Sequence, residues 1–312
     1  MKIFLLEQTH PKLSLEEAKA LTNQQPRKTY KHLAFFPTNK QIKDAAYTKK
    51  IFHLIKEIPT NKLVHYLKTH SLQQHIKKTY AIRKISFTKK SPSTKQLAEP
   101  IWHNLKNPKV NLTNPQTQLT ILISPKTSWI TKLEYENKEN FENRKPHKRP
   151  SPHPSSLHPK LARAMINLSQ SKTILDPFCG TGGILIEGCI LKKKMIGSDI
   201  SKWMLNKARK NLNYYNCKAT LQHKDATKLN KKVEAIVTDI PYGRNTKTQN
   251  IKKLLKEFLH TAEPLTKKII IGLPNTIRLS NILKQTTFKR TFQTTIHLHQ
   301  TLSKKILVLQ QN

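Results

Sequence analysis

The residues best placed to do chemistry are aspartates. The chain has only five among 312 residues, and four of them, Asp176, Asp199, Asp225 and Asp239, close successive strand-like runs in the second half. Against 57 lysines and arginines and only 18 acidic side chains in all, a carboxylate at a strand end runs counter to the composition. Four of them outline a site for a ligand rich in donors or positive charge. All seven glycines lie in the same half, from Gly180 to Gly272. Open α/β folds bind ligands in loops at the carboxyl edge of a parallel sheet, so aspartates and glycines together point to one nucleotide-type site.

The run DPFCGTGG, residues 176–183, ends a strand and opens a helix, letting backbone approach a ligand while helix amides face it. No Gly-Lys-Ser/Thr follows, which argues against a Walker loop and nucleoside triphosphates. A dinucleotide loop also fails, because Leu185 stands where the last glycine of GxGxxG belongs. S-adenosylmethionine fits better. Asp176 can face its ammonium, directly or through water; Asp199, 19 residues beyond Gly180, can accept from both ribose hydroxyls; Asp225 can accept from the adenine amino group. The cofactor set read this way is Asp176, Pro177, Phe178, Cys179, Gly180, Gly182, Asp199, Ile200, Asp225 and Ala226. Helix capping is the competing role for any one of these aspartates, but it does not account for all four.

The fourth strand ends in DIPYGR, residues 239–244. An aryl amine is a poor nucleophile because its lone pair is delocalised into the ring. The Asp239 carboxylate and the Ile240 carbonyl can hold its two hydrogens, re-aim the lone pair and oppose the charge that develops on nitrogen. Pro241 stiffens the loop, and Tyr242 offers a face on which an extruded base can stack. The run resembles the (D/N/S)PP(Y/F/W) motif of class I methyltransferases that act on exocyclic amines. Ile240 replaces the usual proline, a change the chemistry tolerates because only its carbonyl is needed.

Elements must deliver these groups. In the second half TILD, KMIGSDI, ATLQHKD, VEAIVTDI and IIIGLP alternate with helical patterns, which predicts a doubly wound parallel sheet. ILIEGCILKK reads as a buried helix and SKWMLNKARKNLNYY as an amphipathic one with Ser201 as N-cap. RTFQTTIHLHQTLSKKILVLQ predicts a closing antiparallel hairpin turning around Ser303. In the first half MKIFLLEQ, KHLAFF and YAIRKISF read as strands, LSLEEAKALTN, residues 42–58 and QLAEPIWHNLK as helices, and VNLTNPQTQLTILIS as two strands around an Asn-Pro turn. Five prolines between Pro146 and Pro159 mark a stiff linker, after which Leu161, Ala164, Met165 and Leu168 begin a helix.

The length allows two or three domains. The net charge of +39 divides between 29 basic and 10 acidic residues in 1–150 and 28 and 8 in 151–312. A field of this size attracts a polyanion, nucleic acid before an acidic membrane; an AT-rich coding bias toward lysine, asparagine and isoleucine competes as its source. The short apolar start and the lack of any run of roughly 18 apolar residues predict a soluble cytosolic protein without a membrane span. Three cysteines without C-x-x-C spacing suggest neither disulfide nor zinc, and the prolines between His147, His153 and His158 argue against a metal site.

Four segments, YAIR with VNLTNP, RKPHKRPSPHPSSLHPKLARAMINL, DPFCGTGGILIEG and VTDIPYGR, resemble the archaeal tRNA guanine-10 N2-methyltransferases, over most of the chain. The resemblance implies a Rossmann-like class I methyltransferase domain with a seven-stranded sheet and antiparallel C-terminal hairpin at 161–312. Ahead of it would lie a ferredoxin-like α+β unit at 1–60, a THUMP RNA-binding domain at 61–140 and a basic proline-rich linker at 141–160. It implies S-adenosylmethionine as cofactor, tRNA as partner, and transfer of one or two methyls to N2 of guanine 10. Asp239, Ile240, Pro241 and Tyr242 become catalytic, and His158 falls where the family contacts the methionine end of the cofactor. Arg83, Arg144, Lys148, Arg149 and Arg244 become candidate phosphate contacts. A monomer is expected. The alternatives are an amine methyltransferase for another nucleic-acid position and a non-catalytic RNA-binding scaffold.

Overall fold

The computed structural model describes residues 1–154, 156–240, 248–299 and 302–311. The chain divides into two compact units, one formed by Met1–Glu7, Gln24–Lys43 and Thr48–Asn137, the other by Gln8–Asn23, Asp44–Tyr47 and Lys138–Asn312. In chain order the first elements are β1 (Lys2–Leu6), α1 (Pro11–Thr22), β2 (Lys28–Tyr30), β3 (Leu33–Phe36) and β4 (Thr48–Pro59). They are followed by α2 (Leu63–Thr69), β5 (Tyr80–Ser86), α3 (Thr94–His103), β6 (Thr117–Ile123) and β7 (Thr127–Glu136).

All seven of these strands share one sheet, in the order β2-β3-β1-β4-β7-β6-β5. Successive strand residues face opposite sides, and the sheet uses both: Leu119, Ile121 and Ile130 pack with Leu67 of α2 and Leu97 and Ile101 of α3, while Leu122 and Trp129 pack with Ile3, Phe35 and Phe52. Helix α3 begins with a reciprocal capping box between Ser93 and Gln96. Residues 42–58, expected as a helix, are not one: Thr48–Pro59 forms a central strand between β1 and β7. Its helix-like spacing from Ile42 to Ala46 is overridden by Ile51, Phe52 and Ile55, whose branched and aromatic side chains suit a pleated surface. The expected strand at VNL shrinks to one bridge, Val110 to Tyr80, because Asn111 Oδ1 accepts from the Thr113 and Asn114 amides and turns the chain.

The second unit continues with α4 (Pro159–Ser169), β8 (Thr173–Asp176), α5 (Gly183–Ile190), β9 (Lys194–Asp199), α6 (Lys202–Tyr214), β10 (Ala219–His223) and β11 (Ala235–Asp239). It ends with α7 (Thr248–Ala262), β12 (Lys268–Pro274), the single turn α8 (Ser280–Leu283), β13 (Lys289–His299) and β14 (Leu302–Gln310). The sheet runs β10-β9-β8-β11-β12-β14-β13. Its first five strands are parallel, and β14 and β13 close it as an antiparallel hairpin, the predicted doubly wound architecture. The hairpin turn, residues 300–301, lies outside the described residues.

Alternate strand residues again divide between two faces. Ile174, Val237 and Ile270 pack with α4 and α5 on one side; Leu175, Ile236, Ile269 and Ile271 meet Leu255, Phe258 and Leu259 of α7 on the other. Helix α1 belongs to this unit. Its Glu17, fully buried, accepts from the Ala46 and Tyr47 amides and from Asn167 Nδ2 of α4, each at 2.7 Å. Chain order runs outward from β8 in both directions, so the strand order reverses between β8 and β11. That is the switch point where such sheets open a ligand crevice.

Candidate active site

The carboxyl ends of β8, β9 and β11 open on a cavity of about 470 Å³, within the size range of small-ligand sites. Its lining brings together Asp176, Pro177, Phe178, Cys179, Gly180, Asp199, Ile200, Asp225, Ala226, Asp239 and Ile240. The sequence placed each of these in the site. Gly182 and His158 are absent from that lining, which instead includes Thr181, Gly183, His153 and Leu157.

The loop between β8 and α5 is shaped by its glycines. Gly180 and Gly182 take left-handed φ values of +51° and +83°, a region costly to side-chain-bearing residues. A Cβ at Gly180 would meet only open space, so the loop leaves its backbone bare to the cavity. Gly182 serves from behind: as N-cap of α5 it packs on Ala208 of α6. Asp199 ties the loop to β9, accepting from the Gly180 amide through Oδ2 and the Ser201 amide through Oδ1, each at 2.9 Å. Asp225 caps the short turn Ala226–Lys228 through the Thr227 amide and hydroxyl, bonds that hold its carboxyl below the usual range. It therefore combines capping with a place in the cavity wall.

Asp176 is buried, accepting from the Thr238 hydroxyl at 2.6 Å and the Phe178 amide at 3.3 Å. Its carboxyl is pushed up to about 7, by burial first, with the charges of Asp239 and Asp199 adding to the rise and the two hydrogen bonds opposing it. Three carboxylates thus crowd one end of the cavity, and no lysine or arginine lines it among the described residues. Such a wall suits a cationic ligand. Cys179 is inert by comparison, since burial pushes its thiol up.

Asp239 ends β11, and Lys304 of β14 donates from Nζ to both of its oxygens, at 2.5 Å to Oδ1. Sequence reasoning missed this lysine. The available signal was its register: Lys304 stands two and four residues before Ile306 and Val308, both in the core, so a period of two turns it inward. Ile240 is buried and donates its amide to the Gly272 carbonyl. Pro241, Tyr242 and Arg244 lie outside the described residues.

The expected phosphate contacts divide. Arg144 and Arg149, expected at the surface, are turned inward. Arg144 pairs with Glu187 and Glu139, each at 2.7 Å, and Arg163 joins the same Glu187. Arg149 is 3 % exposed, donates from Nε to the Arg144 carbonyl and lies against Gly183. Arg144 of the linker thus satisfies a buried carboxylate on α5, a partner no local pattern reveals. Lys148 is exposed, and Arg83 on β5 donates to the Leu112 carbonyl. His158 caps α4 through the Lys160 amide and sits 3.5 Å from Glu142; burial, first among its causes, lowers its pKa. Among the described residues no three metal-ligating side chains converge, and no helix is long and apolar enough to cross a membrane.

Comparison with known proteins agrees with this geometry. The profile of the RMKL-like methyltransferase domain matches residues 146–304, and a DNA methylase profile matches residues 16–210. The tRNA (guanine(10)-N2)-dimethyltransferase of Methanothermobacter thermautotrophicus is 30 % identical over 98 % of both chains. The enzyme of that name from Pyrococcus abyssi is 33 % identical over 75 % of both. The crystal structure of TrmN from Thermus thermophilus superposes with a TM-score of 0.52 at 15 % identity, covering 100 % of this chain and 99 % of that one, a likeness of fold. A methyltransferase sheet with an acidic crevice at its switch point, and homology running the length of the chain, place this protein in the tRNA (guanine(10)-N2)-dimethyltransferase family.

Proposed function

We infer that this chain transfers methyl groups from S-adenosylmethionine to the exocyclic N2 of guanine in tRNA, at position 10. One observation carries the reading: Asp239 and Ile240, suited to an aryl amine, share a cavity with Asp176, Asp199 and the bare Gly180 loop, suited to the cofactor. Donor and acceptor meet there without crossing a wall.

The residues fit the cofactor by charge. The charges of Asp239 and Asp199 add to the cost of ionising Asp176, and a bound cation relieves it. When bound, S-adenosylmethionine supplies a methyl group on a positively charged sulfur. Asp199 and Asp225 would hold its ribose and adenine, and Asp176 its ammonium. Gly180 leaves room for close backbone approach, and Phe178, braced edge-on by Phe258, closes the apolar side. Beside them Asp239 and the Ile240 carbonyl accept the two amine hydrogens. They turn the lone pair out of conjugation and stabilise the positive nitrogen of the transition state. After a first transfer the methylated nitrogen gives up one proton, to the Asp239 carboxylate or to water, and one N–H remains for these two acceptors, enough to orient a second transfer.

Residues 61–140, the THUMP stretch, would grip the tRNA acceptor end. Lys148, Arg83 and Arg244 would reach its phosphates, and Tyr242 would stack the flipped base. His158, outside the cavity lining, would act by starting α4 beside the cofactor loop. The protein would work as a cytoplasmic monomer. The test is incubation with labelled S-adenosylmethionine and two transcripts, one with guanine and one with adenine at position 10, followed by nucleoside analysis. N2-methylated guanosine from the first alone is the expected result. Equal labelling of both discards position 10, and labelling of neither favours a non-catalytic RNA-binding scaffold.

A further inference from the structure

Asp239 and Lys304 are not on neighbouring strands. Strand β12 lies between β11 and β14, so the two backbones are two strand spacings, about 10 Å, apart. The lysine crosses at Gly272, which pairs with Asp239 on one side and Ile306 on the other. A Cβ at Gly272 would collide with Asp239 Oδ1 and lie 3.4 Å from Lys304 Cδ. Acid, gap and cation therefore form one device across three strands. Lys304 is 2 % exposed, and a buried ion pair is seldom more stable than an apolar replacement of similar volume. Stability alone does not explain a lysine in the row of Ile306 and Val308.

We propose that Lys304 is a positioning residue for methyl transfer, gripping both oxygens of Asp239 through the gap at Gly272 so that the carboxylate meets the acceptor amine in one fixed orientation. The inference rests on the functional reading above. Each carboxylate oxygen has two acceptor sites; with one on each taken by Nζ, one on each remains for an amine hydrogen. Burial drives the Asp239 carboxyl toward its protonated form, and Lys304 opposes this. A protonated Asp239 would present a donor where the amine needs an acceptor. The other charged side chains lining the cavity among the described residues are acidic, Asp176 from β8, Asp199 from β9, Asp225, and Glu257 from α7, and His153 on the same lining has its pKa lowered, by burial first. None of them can do what Lys304 does.

The full chain with 13Cγ-labelled aspartate tests this in the absence of cofactor and tRNA. Five aspartates give five carboxyl signals, and Asp239→Asn identifies the one in question. In Lys304→Met the Asp239 titration should move up by roughly one pH unit or more, while Lys304→Arg should keep it near the wild-type position. With a tRNA carrying guanine 10, kcat of Lys304→Met should fall about 10²-fold, with its acid limb moved up in parallel and KM for both substrates little changed. Gly272→Ala, which alters no charge, should reproduce the loss by closing the gap. An unmoved Asp239 titration and acid limb in Lys304→Met, or loss of folded structure in both lysine variants, would make the lysine structural and overturn the proposal. A wild-type enzyme that methylates no tRNA guanine would instead overturn the functional reading, and this inference with it.

Discussion

The second unit buries two groups of charges, and they are built differently. Around Glu187 of α5, Arg144 and Arg163 converge with Arg149 close by, and no member of the group lines the cavity. Around Asp239, among the described residues, Lys304 meets the carboxylate, which also lines the cavity with Asp176 and Asp199 near it. The first group is rich in cations and closed; the second is rich in anions and open. Closed charge clusters fasten elements together, here the 141–149 segment and α4 to α5. An open cluster with surplus charge of one sign is waiting for a ligand of the other. Position in the fold makes the difference: strand carboxyl ends face the crevice, whereas Glu187 sits mid-helix with nothing but protein around it.

The comparison can be broken at its closed end first. Glu187→Gln should cost about 3–5 kcal/mol of stability, read by denaturant unfolding, while the folded fraction keeps its cofactor affinity. Equal stability would show that the arginines do not depend on it. At the open end, Asp199→Ala should weaken S-adenosylmethionine binding about 10- to 100-fold, measured by calorimetry, with little change in stability. Part of that loss comes from freeing the Gly180 amide it holds.

The raised carboxyl of Asp176 sharpens the contrast with pH. Its folded pKa of about 7 lies above its ordinary value of 3.8. The folded state therefore holds the proton more tightly than the unfolded chain, and this residue's contribution to stability falls as pH rises from about 4 to about 7. A cation bound beside it favours the ionised form, so cofactor affinity should rise several-fold as pH goes from about 6 to about 8. Asp176→Asn should flatten that dependence. The smallest effects belong to the linker. Lys148→Ala should lower the salt dependence of tRNA binding by about one unit of slope, and Arg149→Met, acting on a buried side chain, should leave it unchanged.

The sequence showed one of these clusters and not the other, for a physical reason. Parallel strands covered on both faces read as apolar runs, so an aspartate closing each run announces both the strand and the crevice at its end. Asp176, Asp199, Asp225 and Asp239 were legible for that reason, as was the sheet they terminate. Arg144 looked like a phosphate contact because its partner, Glu187, lies 43 positions away on a helix, and Arg149 because its burial against Gly183 is set by the fold; a local run of charge is the same string whether solvated or buried. Lys304 was hidden among many lysines; only its register with Ile306 marked it. The strand at Thr48–Pro59 was misread because membership in the centre of a sheet is decided by β1 and β7, not by its own spacing.

The most direct test of the account is single-turnover methyl transfer by Asp239→Ala, with cofactor and tRNA affinities measured on the same preparation. Loss of transfer by about 10²- to 10³-fold with both affinities retained is the predicted result. Transfer at the wild-type rate would contradict the account, because the amine would then be held and activated somewhere other than the end of β11.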